Sequence, residues 1–103
     1  MEREQKSQMV FFVKLCSDKA AYEARLKRQR NFNLRHVKQL FEASGNYQIL
    51  VDTPHILILK NSKGVEVTFS RDGRLIIKKA PDKAEAEKIA QEIFQAALKA
   101  SST

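Results

Sequence analysis

The sequence predicts a single α+β domain built on a curved antiparallel sheet of about five strands, with helices packed on one face. Three observations carry this. Short apolar or alternating runs follow one another between residues 47 and 79, with Asp72-Gly73 as the sharpest break among them. Ala86, Ile89, Ala90, Ile93, Phe94 and Ala97 recur at helical spacing, the pattern of a helix with one buried face. The chain has 103 residues and is 43% hydrophobic, which supports one core and not two.

The elements read in order as follows. Residues 1–8 are polar and form a flexible lead-in, residues 9–100 form the domain, and residues 101–103 form a flexible tail. Met9 to Leu15 (MVFFVKL) is a compact run rich in Val and Phe, a buried strand. Residues 17–30 read as a basic helical insertion, capped by Ser17 with Asp18 in its first turn. Its apolar stripe is little more than Ala21, Tyr22 and Leu26, so such a helix lies in solvent or on a partner. Asn33 caps the next helix, Phe32 and Val37 form a hydrophobic staple across its start, and Gly45 stops it. Leu34, Val37, Leu40 and Phe41 make its apolar face.

Tyr47 to Asp52 and His55 to Lys60 follow as strands, separated by a bulge or short turn at Thr53-Pro54. After Asn61-Ser62-Lys63-Gly64, Val65, Val67 and Phe69 alternate with Glu66 and Thr68, a half-buried strand. Asp72-Gly73 then reads as a two-residue hairpin turn. That turn pairs Arg71 with Arg74, Phe69 with Ile76 and Val67 with Lys78 on one face, and Thr68 with Ile77 and Glu66 with Lys79 on the other. Pro81-Asp82 opens the last helix, with Asp82 and Glu85 at capping-box spacing.

Charge narrows the function. The net charge is +7, and it is uneven. Between residues 19 and 38 seven cations face only Glu23, and between 60 and 79 six cations face Glu66 and Asp72. Clustered positive charge concentrates polyanions, nucleic acid foremost. Cys16 is the only cysteine, which excludes an internal disulfide and Cys-based metal motifs and implies an intracellular setting, cytoplasmic or nucleoid/nuclear. The longest apolar run, Met9 to Val13, is too short to span a bilayer. His36 and His55 have no second ligand at metal spacing, no carboxylates pair, and the glycines at 45, 64 and 73 are isolated. The chain therefore reads as a binding module and not an enzyme, with no cofactor, metal or small-molecule substrate.

Asn31-Phe32-Asn33-Leu34-Arg35-His36-Val37, the Gly45-Asn46-Tyr47 turn, the run Val67 to Ile77 and the Ala-rich helix from Asp82 together resemble one half-repeat of the TATA-box-binding protein family. The resemblance spans Asn31 to Leu98 and implies a TBP-like fold. In that family the uncovered apolar sheet face lies in the DNA minor groove, Phe wedges enter between base steps, and cations hold phosphates. The resemblance places Phe69 as a wedge and Arg71, Arg74 and Lys78 at the backbone. The chain departs from the family in three ways. It has one repeat, it has no aromatic between Asp52 and His55, and its basic segment at 17–30 has no counterpart.

The expected function is nucleic-acid binding, DNA before RNA, in a transcription-related or other accessory role. Phosphate contacts are expected from Arg25, Lys27, Arg28, Arg30, Arg35, Lys38, Arg71, Arg74 and Lys78. The alternative is a protein-interaction module that forms a homodimer through an open sheet face of Val65, Val67, Phe69 and Ile76. As an apolar residue on an apolar strand, Phe69 otherwise packs in the core.

Overall fold

The structure, a computed structural model, describes residues 11–15, 21–27 and 31–101. The predicted lead-in over 1–8, the Ser17 cap and Cys16 lie outside the described residues. Six strands and two helices follow in order: β1 Phe11–Leu15, β2 Ala21–Leu26, α1 Leu34–Ser44, β3 Tyr47–Asp52, β4 Ile56–Asn61, β5 Glu66–Ser70, β6 Arg74–Lys78 and α2 Lys83–Ser101. The strands form one antiparallel sheet in the order β1-β2-β6-β5-β4-β3. The meander β3 to β6 starts at the far edge and returns beside β2. Both helices pack on one face, α1 against β3 and β4, α2 against β1 and β2, and they touch each other.

Local chemistry explains most of these elements. Asn33 Oδ1 accepts hydrogen bonds from the Arg35 and His36 amides at 3.1 and 3.4 Å, capping α1 as expected. Phe32 and Val37, the two staple residues, are both buried. Gly45 ends the helix at φ +74, its amide donating to the Phe41 carbonyl at 3.2 Å. Thr53-Pro54 is a turn: the Thr53 hydroxyl oxygen accepts from the amides of His55 and Ile56 at 3.2 and 3.0 Å. The one register shift in β3 falls instead between Ile49 and Val51. Asp82 caps α2 by accepting from the Glu85 amide at 2.9 Å, and the whole stripe from Ala86 to Ala97 is buried.

Three expectations are corrected. The described part of the predicted 17–30 helix, Ala21–Leu26, is a strand, which makes six strands and not five. From Tyr22 on, its residues alternate: Tyr22, Ala24 and Leu26 turn to the core, Glu23 and Arg25 away from it. Ala24 lies fully buried between Val13 and Leu75, where pairing with β1 and β6 outweighs a helix preference that had almost no stripe to bury. Nor is β1 the buried strand expected from its composition. It is an edge strand, and Leu15 at its end is 61% exposed.

The hairpin register is the third correction. Phe69 pairs with Leu75, Val67 with Ile77, Thr68 with Ile76 and Glu66 with Lys78. Arg71, Asp72 and Gly73 thus form a three-residue loop, closed by the Gly73 amide donating to the Ser70 carbonyl at 3.0 Å. Gly73 sits at φ +94, the left-handed residue that such a loop requires. A two-residue turn would slip the register by one and set Lys78 opposite Val67, on the core side. The observed register buries Leu75 and Ile77 and keeps Arg74 and Lys78 out. The expected Glu66–Lys79 ion pair survives diagonally at 3.7 Å. Gly73→Ala should therefore cost about 1–2 kcal/mol through the left-handed backbone alone. An unchanged urea midpoint would refute the three-residue loop.

The core is centred on Phe69. Its ring lies edge-on to Phe32 at 5.4 Å and to Phe94 at 6.3 Å, and Phe94 meets Phe11 at 5.5 Å. At the other end Phe41 packs edge-on to Tyr47 at 5.2 Å. Tyr47 donates from its hydroxyl to Glu92 Oε1 at 3.3 Å. Burial first, then the Glu92 charge, pushes the Tyr47 phenol well above its ordinary range.

Candidate nucleic-acid interface

Which side chains reach the second face of the sheet follows from the strand register. Residues that alternate with Ala24, Leu75, Phe69 and Leu57 point away from both helices. No described element covers that face.

Its middle row crosses all six strands: Lys14, Glu23, Ile76, Thr68, Ile58 and Val51. One step toward the β5–β6 loop, Arg25 stands directly opposite Arg74, and Ser70 opposite Ile56. One step the other way lie Lys78, Glu66, Lys60 and Gln48. Five cations thus share the face with two carboxylates. The short aliphatic row between them is partly exposed, most of all at Val51, 40%, and Ile56, 38%.

The Arg25–Arg74 pair is the unusual feature. Like charges directly opposite one another on neighbouring strands destabilise a sheet. Glu23 offsets one of them, accepting from Arg25 Nε at 3.0 Å and lying 3.9 Å from Lys14 Nζ. Among the described residues Arg74 has no such relief. Its Nε is buried and makes no hydrogen bond. A buried N–H donor on a cation is costly to leave unpaired.

The residues expected to touch phosphate separate into groups. Arg25, Arg74 and Lys78 share the uncovered face. Lys27 is exposed just beyond β2. Arg35 and Arg71 are exposed around a different feature, a cleft at the start of α1. Lys38 is committed to Asp52 at 2.8 Å and Glu42 at 3.6 Å, and the hydrogen bond and charge of Asp52 raise its ammonium above the ordinary value. Arg28 and Arg30 lie outside the described residues.

The expected apolar interface does not assemble. Val65, Val67 and Phe69 are buried under the helices, and only Ile76 belongs to the uncovered face. The cause is again the one-residue register change, which moves alternate side chains to opposite sides. Phe69 is a core residue and does not stand as a wedge on the open face.

Sequence reasoning missed Lys14, Thr68, Ile58, Lys60 and Val51 as members of this surface. A signal existed for some of them. In β4 Lys60 marks the polar parity, which Ile58 shares, and the burial of Leu57 and Leu59 agrees with it.

No family model matches the chain, and neither does any curated protein or solved structure. Among the described residues no group of three His, Cys, Asp or Glu could hold a metal ion, and no helix is long and apolar enough to cross a membrane.

Proposed function

We propose that this domain binds nucleic acid, duplex DNA before RNA, across the uncovered sheet face. The observation that carries the reading is the opposed Arg25–Arg74 pair with its unpartnered Arg74 Nε. A phosphate lying between the two guanidiniums would accept from their outward N–H groups and remove the repulsion. Lys14, Lys60 and Lys78 extend the positive surface along the same face. Short apolar side chains flanked by cations suit a duplex groove better than a single strand.

The resemblance to the TATA-box-binding protein family supports the same orientation, with helices behind the sheet and the opposite face toward the ligand. With Phe69 in the core, the proposed mode works without that wedge, through backbone contact and groove shape.

Fluorescence anisotropy with labelled duplex DNA, single-stranded DNA and RNA at several salt concentrations tests the proposal. Duplex DNA should bind tightest, and about four neutralised phosphates give a log–log salt slope of roughly −3 to −4. No binding to any of the three at low salt would end this reading. Self-association through the face is the second reading, favoured by the exposed Leu50, Val51 and Ile56 at its β3 end. A symmetric dimer on this face would set its cations against their own copies, which argues for a monomer in sedimentation.

A further inference from the structure

We infer a second anion site, separate from the sheet face: the cleft at the start of α1 takes a phosphate group. The cleft encloses about 790 Å³ between the α1 N-terminus, the Thr53-Pro54 turn and the β5–β6 loop. Arg35, Lys38 and Arg71 line it, against one carboxylate, Asp52. That carboxylate is bound to Lys38 at 2.8 Å, so it leaves the two arginines uncompensated. Neither Arg35 nor Arg71 has an ion-pair partner among the described residues.

Their positions are built and not incidental. The chain on either side of the cleft is pinned by the Phe32 amide donating to the Arg71 carbonyl at 2.8 Å and the Arg71 amide donating to the His55 carbonyl at 3.0 Å. Arg35 stands in the first turn of an 11-residue helix that has no acidic residue there. A cation at that end opposes the helix dipole, and a bound anion would reverse the sign of the interaction. The Arg35 and His36 amides are already taken by Asn33, so the arginine side chains must supply the donors. Two guanidiniums match the oxygens of a phosphate group, and the volume admits one with its attached nucleoside. The group is either free phosphate or the terminal phosphate of a nucleic-acid strand.

The test is an amide and arginine Nε NMR titration of the whole chain with inorganic phosphate, against chloride at matched ionic strength. Saturable shifts confined to Arg35, His36, Arg71 and their neighbours are expected. Arg35→Gln and Arg71→Gln should each weaken the affinity at least about tenfold, since a hydrogen bond to a charged group contributes that much. Both residues are exposed, and unchanged spectral dispersion will confirm that each variant folds. Arg71→Lys, which keeps the charge without the fork, should fall between. Shifts that chloride reproduces, or that spread over all cations, would overturn the site. A 5′-phosphorylated oligonucleotide that shifts the same signals at lower concentration than its 5′-hydroxyl counterpart identifies a strand end. Equal potency of inorganic phosphate identifies the free ion. Charge changes on the sheet face should leave these shifts intact, so either site can fail without the other.

Discussion

Phe69→Ala should remove about 3–5 kcal/mol of folding stability, enough to leave the domain marginal, because ordinary domains have only 5–15 kcal/mol in total. The residue is fully buried at the junction of three parts of the core. Its ring meets Phe32, just before α1, and Phe94, on α2, while its strand pairs Leu57 and Leu75. No smaller side chain could hold both rings, and the cavity adds to the lost transfer energy. Urea denaturation followed by circular dichroism reads the effect directly. The same variant separates two assignments of this residue. If Phe69 stood on the ligand-binding face as a wedge, its removal would spare stability and cut affinity. A large stability loss places the face elsewhere. Ile76→Ala, on the opposite side of the sheet and only partly buried, should cost much less and serves as the comparison.

Much of the architecture was legible because local chemistry and tertiary packing agree. In α2 the stripe from Ala86 to Ala97 is both a helical pattern and the buried surface. In α1 the Asn33 cap and the Gly45 stop act within a few residues of chain and owe nothing to distant contacts. The failures lie where a choice depended on partners far away in sequence. Ala21–Leu26 carries good helix formers, and only the neighbours β1 and β6 make it a strand. Its thin helical stripe was the available warning. Asp72-Gly73 is compatible with a two-residue or a three-residue loop, and the turn alone does not decide between them. The strands decide: only one register keeps Lys78 out of the core. That choice also set which side chains share the second face of the sheet. Reading Phe69 and Ile76 as one face joined two opposite sides of the sheet and hid the row that includes Ile58 and Thr68. Net charge could not tell Lys38, which is paired with Asp52, from Arg35, which has no ion-pair partner among the described residues.

The charge reversal Arg25→Glu/Arg74→Glu should weaken duplex DNA binding by about 50- to 100-fold at 0.1 M salt and flatten the salt slope by about 2. The magnitude follows from counterion release, where each lost phosphate contact removes roughly 0.9 from the slope and nearly tenfold in affinity at that salt. The loss should appear with every sequence tested, because the contacts proposed are to the backbone. Stability should move differently. Arg74→Gln removes half of a like-charge pair and a cationic donor without a partner, so folding stability should hold or rise by a few tenths of a kcal/mol while affinity falls. Opposite signs in the two measurements are the mark of a placement kept for a ligand at some cost to the fold. If Arg74→Gln instead destabilised the domain and left binding unchanged, Arg74 would be a packing residue whose stem covers the sheet. The proposed surface would then have to be abandoned, whatever the net charge of the chain.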